Sequence, residues 1–201
     1  GFQTAHLYSA SPGLTGETTP LLGRSAAELL MTRLAGLPGI ESVSTVYKLP
    51  LSGMSRQVDV KSAALRVACN HVGPGYFRTL GIPLIRGRDF TEIETRTNAA
   101  VAIISEGTAS RIWPAGEALG KTIELADGDG PRQVVGVVRN ANVGILWRPE
   151  DAYVYLPIGT KPAYAIFRAP SWSGSEAESA LQNAAADIHP RLRAPLRAIE
   201  E

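Results

Sequence analysis

The chain has 201 residues, 44% of them hydrophobic and 19% charged, and its 20 basic and 19 acidic side chains leave a formal net charge of +1. That is the composition of a folded globular protein of one domain or two small ones, and without a basic run it carries no electrostatic footprint for nucleic acid. One cysteine, Cys69, and three scattered histidines, His6, His71 and His189, put disulfides and Cys/His metal sites out of reach within the chain, and nothing calls for a cofactor.

No run of 18 apolar residues is long enough to span a bilayer, and no signal-peptide pattern opens the chain. Gly1-Phe2-Gln3 lacks an initiator Met, so the sequence reads as a piece of something longer. Ala5 to Ala10 is a weak strand, followed by a loop rich in Pro, Gly and Thr. Ser25 three residues before Glu28 has the form of a capping box, and Leu30, Leu34 and Leu37 line one face of the helix that follows, which Pro38-Gly39 stops. Strands are expected over 40–47, 57–60 and 64–71.

The stretch from Val72 to Thr91 is a junction, in which turn residues alternate with large apolar ones. Gly73, Pro74 and Gly75 break the preceding strand, Tyr76, Phe77 and Leu80 make one apolar helical turn, and Gly81 and Pro83 end it. Arg86-Gly-Arg-Asp89 reads as a polar turn, with Gly75, Gly81 and Gly87 shaping the backbone and Arg86, Arg88 and Asp89 pinning it by a local ion pair rather than binding an anion.

A polar loop containing Glu92 and Glu94 leads to Ala99-Ala-Val-Ala-Ile-Ile104, a continuous apolar run typical of a strand buried on both faces. A short helix over 106–113 ends at Pro114. Strands at 121–126 and 132–138 flank Asp127-Gly-Asp-Gly130, a hairpin signal, and two more strands are expected at 153–157 and 163–169. Ser175 and Glu178 have capping-box spacing ahead of the apolar stripe Ala177, Ala180, Leu181, Ala184 and Ile188, and 192–199 returns as a last strand. The ends thus read β-α-β-β and β-β-α-β around a strand-rich middle, which is an α+β fold with an insertion.

No chemical motif assembles. Ala115-Gly-Glu-Ala-Leu-Gly-Lys-Thr122 resembles a relaxed phosphate loop, but such a loop needs a strand before it and a helix after it, and here the order is reversed. Asp127-Gly-Asp-Gly130 resembles the opening of a calcium loop, but Val138 stands where its last acidic ligand belongs. Ser55, Ser105 and Ser110 have no histidine nearby in sequence, and His71 ends an apolar run as a structural histidine would. Trp147 sits in a loop beside Arg148-Pro149, as a packed loop anchor or a possible partner contact.

Several phrases taken together resemble the MacB-like periplasmic core domain of ABC transporter permeases, most of all the acidobacterial type of orphan permease. They are Val72-Gly-Pro-Gly-Tyr-Phe77, Leu80-Gly-Ile-Pro-Leu-Ile-Arg-Gly-Arg-Asp-Phe90, Val101-Ala-Ile-Ile104, Trp113-Pro114 with Leu119-Gly-Lys121, Val134-Val-Gly-Val-Val138 and Tyr153-Val-Tyr-Leu-Pro157. Gly73 departs from the family's usual serine, and Arg139-Asn-Ala-Asn142 from its Gly-Asp-Val-Arg. The resemblance implies a non-catalytic domain on the periplasmic side of the bacterial inner membrane. It implies a porter-like, ferredoxin-like lobe from 1–85 and 151–201, with a strand-rich lobe of 86–150 inserted. The partners implied are the permease's own transmembrane helices, a dimer mate, a separate cytoplasmic ATPase and a periplasmic partner. The role implied is to couple transmembrane-helix motion to efflux, with capture of a peptide, lipid or protein as the alternative.

Overall fold

In a computed structural model the described residues are 2–11, 13–14, 20–53, 55–144, 151–161 and 163–199, with the backbone alone for 13–14 and 20–27. The elements in chain order are β1 (Leu7–Ala10), β2 (Gly13–Leu14), α1 (Pro20–Ala35), β3 (Ser42–Val46), β4 (Arg56–Val60), β5 (Leu65–Val72), α2 (Tyr76–Leu80), β6 (Leu84–Gly87) and α3 (Glu92–Thr97). They continue as β7 (Val101–Ser105), α4 (Glu106–Ile112), β8 (Thr122–Glu124), β9 (Pro131–Val138), β10 (Tyr153–Pro157), β11 (Tyr164–Arg168), α5 (Gly174–Ile188), β12 (Leu192–Arg193) and β13 (Leu196–Ala198).

One mixed sheet runs β13-β1-β11-β3-β5-β10-β7-β9-β6, with β4 added on β5 and β8 on β9, while β2 and β12 pair separately. Its first four strands come from β1-α1-β3 and β11-α5-β13, interleaved and antiparallel throughout. Counting only these strands, the spatial order is fourth, first, third, second, which is the ferredoxin-like arrangement. Leu30 and Leu34 of α1 and Ala177, Leu181 and Ala185 of α5 pack on one face of it, against Tyr8, Ala165 and Phe167. The α+β class and the porter-like half are therefore as expected from the two βαβ ends.

The other half closes on itself. β5 pairs with β10, β10 with β7, β7 with β9, and β9 with β8. β4, the antiparallel neighbour of β5, meets the end of β8 through a bridge between Val60 and Leu125, with Lys61 N–H on Glu124 O at 2.9 Å and Ala126 N–H on Asp59 O at 2.8 Å. Such closure satisfies two sheet edges that would otherwise stay open. The alternation of side chains along the strands then fills two cores. Val67, Cys69, Ala102, Ile104, Val154 and Leu156 point into the closed half, while Ala68, Ile103, Tyr153 and Tyr155 point out of it toward α2. The apolar runs at 101–104 and 153–157 are continuous because both faces are buried.

Four local expectations differ. Helix α1 begins at Pro20, where a missing N–H costs nothing, so Ser25 lies inside it and is not its cap. The cap of α5 is Ser173, boxed with Glu176 two residues ahead of the expected pair. Residues 92–97 are helix α3 and not a loop, since Thr91 and Glu94 form a complete capping box. Arg86 and Gly87 belong to edge strand β6, so the expected polar turn is half strand.

Candidate functional site

The junction is built around α2. Gly75 (φ 78°) precedes it and Gly81 (φ 67°) ends it, both in the left-handed region that costs L side chains energy. The Gly81 amide donates to Arg78 O and the Ile82 amide to Phe77 O, which satisfies the carbonyls that a short helix leaves open. Tyr76, Phe77 and Leu80 are buried, and the Phe77 ring meets Tyr155 edge-on at 4.9 Å, with Tyr76 tilted against the same ring at 5.9 Å. Each such side chain contributes roughly 1.5–3 kcal/mol through burial. The Tyr76 hydroxyl is buried without a partner, and burial pushes its pKa up.

Asp89 returns to this helix. Its carboxylate accepts the Gly75 amide at 3.0 Å and the Phe90 amide at 2.7 Å. Burial pushes its pKa up, and the two amides oppose that shift. The arginines face elsewhere. Arg88 forks onto Glu94 at 2.6 and 2.8 Å, joining the junction to the first turn of α3 and, as the largest cause, lowering the Glu94 carboxyl to about 2. Arg86 pairs with Glu117 at 3.0 Å across the surface. The local ion pair expected inside Arg86-Gly-Arg-Asp89 is thus two outward pairs plus a carboxylate that caps backbone. Gly87 (φ 76°) lies against β9, where a Cβ would come 2.2 Å from Val135 O.

Arg168 is a residue that no sequence pattern singled out. It is 5% exposed and donates to Thr79 O at 2.9 Å, to Ala5 O at 2.6 Å and to Gln3 O at 2.6 Å. Burial pulls its pKa down from the usual arginine value. Its partners are backbone carbonyls, which leave no trace in the sequence.

The remaining motif residues have structural partners. Ser55 bonds the Tyr153 hydroxyl at 2.8 Å, Ser105 caps α4, and Ser110 bonds Glu106 O at 2.9 Å. His71 is buried near Tyr47, its pKa lowered to about 3 by burial and then by Lys161, and burial pushes the Cys69 thiol up to about 11. The phosphate-loop look-alike runs from the end of α4 into β8, the reversed order expected. Asp127 and Asp129 are both taken by Arg132 at 3.1 Å in the β8–β9 hairpin. Among the described residues no cluster of three or more His, Cys, Asp or Glu could hold a metal ion, and no helix is long and apolar enough to cross a membrane. An open cleft of about 450 Å³ lies beside α4, with Arg86, Trp113, Asn140 and Asp151 in its wall. Trp147 lies outside the described residues.

The sequence model of the MacB-like periplasmic core domain family matches residues 2–187. The macrolide export ATP-binding/permease protein MacB of Neisseria gonorrhoeae is 27% identical over 124 residues, 58% of this chain and 19% of that protein, so the match spans about a fifth of that relative's length. The crystal structure of the periplasmic region of MacB from Actinobacillus actinomycetemcomitans superposes with a TM-score of 0.61 at 17% identity, over 97% of this chain and 89% of the other. The extracellular domain of the noncanonic ABC-type transporter YknZ from Gram-positive bacteria gives 0.57 at 17% identity, over 94% and 99%.

Proposed function

The chain belongs to the family of MacB-like periplasmic core domains and is a periplasmic domain of an ABC transporter permease; from that premise we propose that it is a non-catalytic coupling element. ATP-driven movement of the permease's transmembrane helices, powered by a cytoplasmic ATPase, enters through the chain ends and shifts this domain against that of a dimer mate. One observation carries the reading. Phe2 and Ile199, at the two ends of the described chain, sit in the same core as Tyr76, Phe77 and Leu80 of α2. A displacement at either end is therefore a displacement of the junction, because close-packed cores transmit strain.

The domain works as two lobes in this proposal. The closed half contains β4, β5, β7, β8, β9 and β10, so we draw the division ahead of β4 and after β10 rather than at 85/86 and 150/151. Paired structures of the intact permease with and without bound ATP test the reading. Lobe positions that differ between the two support it, and identical positions refute it.

A second reading is capture of a periplasmic partner. It is favoured by the open cleft beside α4, whose wall residues Asn140 and Asp151 bracket the segment that carries Trp147. Trp147→Ala that leaves partner capture unchanged removes it.

A further inference from the structure

We propose that Arg168 is a clasp that fastens residues 2–6 to α2, so that this lead-in and the junction helix move as one body. The proposal deepens the coupling reading, on which its purpose rests. Three carbonyls from two segments meet at one guanidinium: Nε donates to Thr79 O of α2, Nη1 to Ala5 O and Nη2 to Gln3 O. Thr79 belongs to the last turn of α2, at the negative end of the helix dipole, and its carbonyl finds no amide four residues on, where Pro83 stands. The planar fork of an arginine suits three acceptors in fixed directions, and a lysine ammonium on the same strand would not reach all three.

Independent contacts fasten the same two segments. The Gln3 amide donates to Leu80 O at 2.9 Å. The Gln3 side chain lies on Gly81, where a Cβ would stand 2.9 Å from Gln Cδ. Phe2 is buried in the core that holds Phe77 and Leu80. Beyond the clasp, His6 O accepts the Ala169 amide, so the lead-in is also tied to the residue that follows Arg168.

Hydrogen exchange on the intact permease in lipid nanodiscs tests the clasp, read at peptides covering 2–7 and 76–82. With Arg168→Met both peptides are expected to exchange about tenfold faster or more, together, while 101–105 and 153–157 keep their protection. Arg168→Lys is expected to do the same to a smaller degree, and it decides the matter if Arg168→Met loses protection throughout. Wild-type exchange in either peptide of the lysine variant, or acceleration of one without the other, overturns the clasp. Spin labels at the exposed positions 5 and 78 form the second arm. Their separation in the otherwise wild-type permease should not change when nucleotide binds, and a change overturns the clasp. If neither label moves relative to the dimer mate, the coupling reading fails, and the exchange result still decides the clasp.

Discussion

Asp89 accepts the amide of Gly75 at 3.0 Å from fourteen residues away, so the exit of the junction holds its entrance. Its other oxygen holds the Phe90 amide at 2.7 Å. Asp89→Ala leaves both donors without a partner in a half-buried place, and the expected loss is about 2 kcal/mol of stability. Asp89→Asn keeps one acceptor oxygen and should lose less. Urea unfolding of both variants checks the order, and an alanine variant as stable as wild type would remove Asp89 from the account of the junction.

Gly87 and Gly120 make a controlled pair. Both have positive φ, 76° and 75°, but a Cβ at Gly87 would meet Val135 O at 2.2 Å, whereas nothing lies within 4 Å of one at Gly120. Gly120→Ala should cost about 1 kcal/mol, the conformational penalty alone. Gly87→Ala must also push β6 from β9, and should cost about 3 kcal/mol in total. Denaturant midpoints measured side by side separate backbone conformation from close approach, and equal losses would contradict the geometry.

The absence of a side chain at Gly73 is explained by its neighbour. The glycine's φ is ordinary, but a Cβ there would come 2.3 Å from Thr45 Oγ1. Gly73→Ser is expected to cost about 1–3 kcal/mol by overpacking. Thr45→Ala in the same chain removes the obstructing hydroxyl, and a double-mutant cycle should show a favourable coupling of about 1 kcal/mol or more. Strict additivity would mean that the two positions are not matched to each other.

What could be read from the sequence was local or continuous. Tyr76, Phe77 and Leu80 between two glycines announce α2, and the unbroken apolar run at 101–104 announces a strand buried on both faces. The closing bridge between Val60 and Leu125 is a backbone pairing across 65 residues, which no side-chain pattern records. Arg168 is silent for the same reason, since all three of its acceptors are carbonyls. Helix α3 is a different case. Its Thr91-x-x-Glu94 signature is present, but only Thr95 of the helix is buried, so periodicity gives no helix there. The Arg88–Glu94 fork joins side chains six residues apart, outside the three- and four-residue spacings by which helical ion pairs are read.

His71 sets a pH dependence. Buried at 4% exposure beside Tyr47 and with Lys161 nearby, its imidazole has a pKa lowered from 6.5 to about 3. The unfolded chain therefore takes up a proton near pH 6.5 that the folded chain refuses until about pH 3. Between those values the unfolded state binds more protons, so stability is full above pH 6.5 and is lost as pH falls, at up to about 1.4 kcal/mol per pH unit. Glu94, lowered from 4.5 to about 2 chiefly by Arg88, adds a loss in the same direction, but only below about pH 4.5. Asp89, whose carboxyl burial pushes up, acts in the opposite direction, so it is the difference in slope between wild type and a His71 variant over pH 6.5 to 4.5 that isolates His71. Stability measured by urea unfolding from pH 6.5 to 4.5 should fall more steeply in wild type than in His71→Gln, whatever the absolute stability of that variant. Parallel slopes in the two proteins would show that His71 is not the buried neutral group the structure makes it.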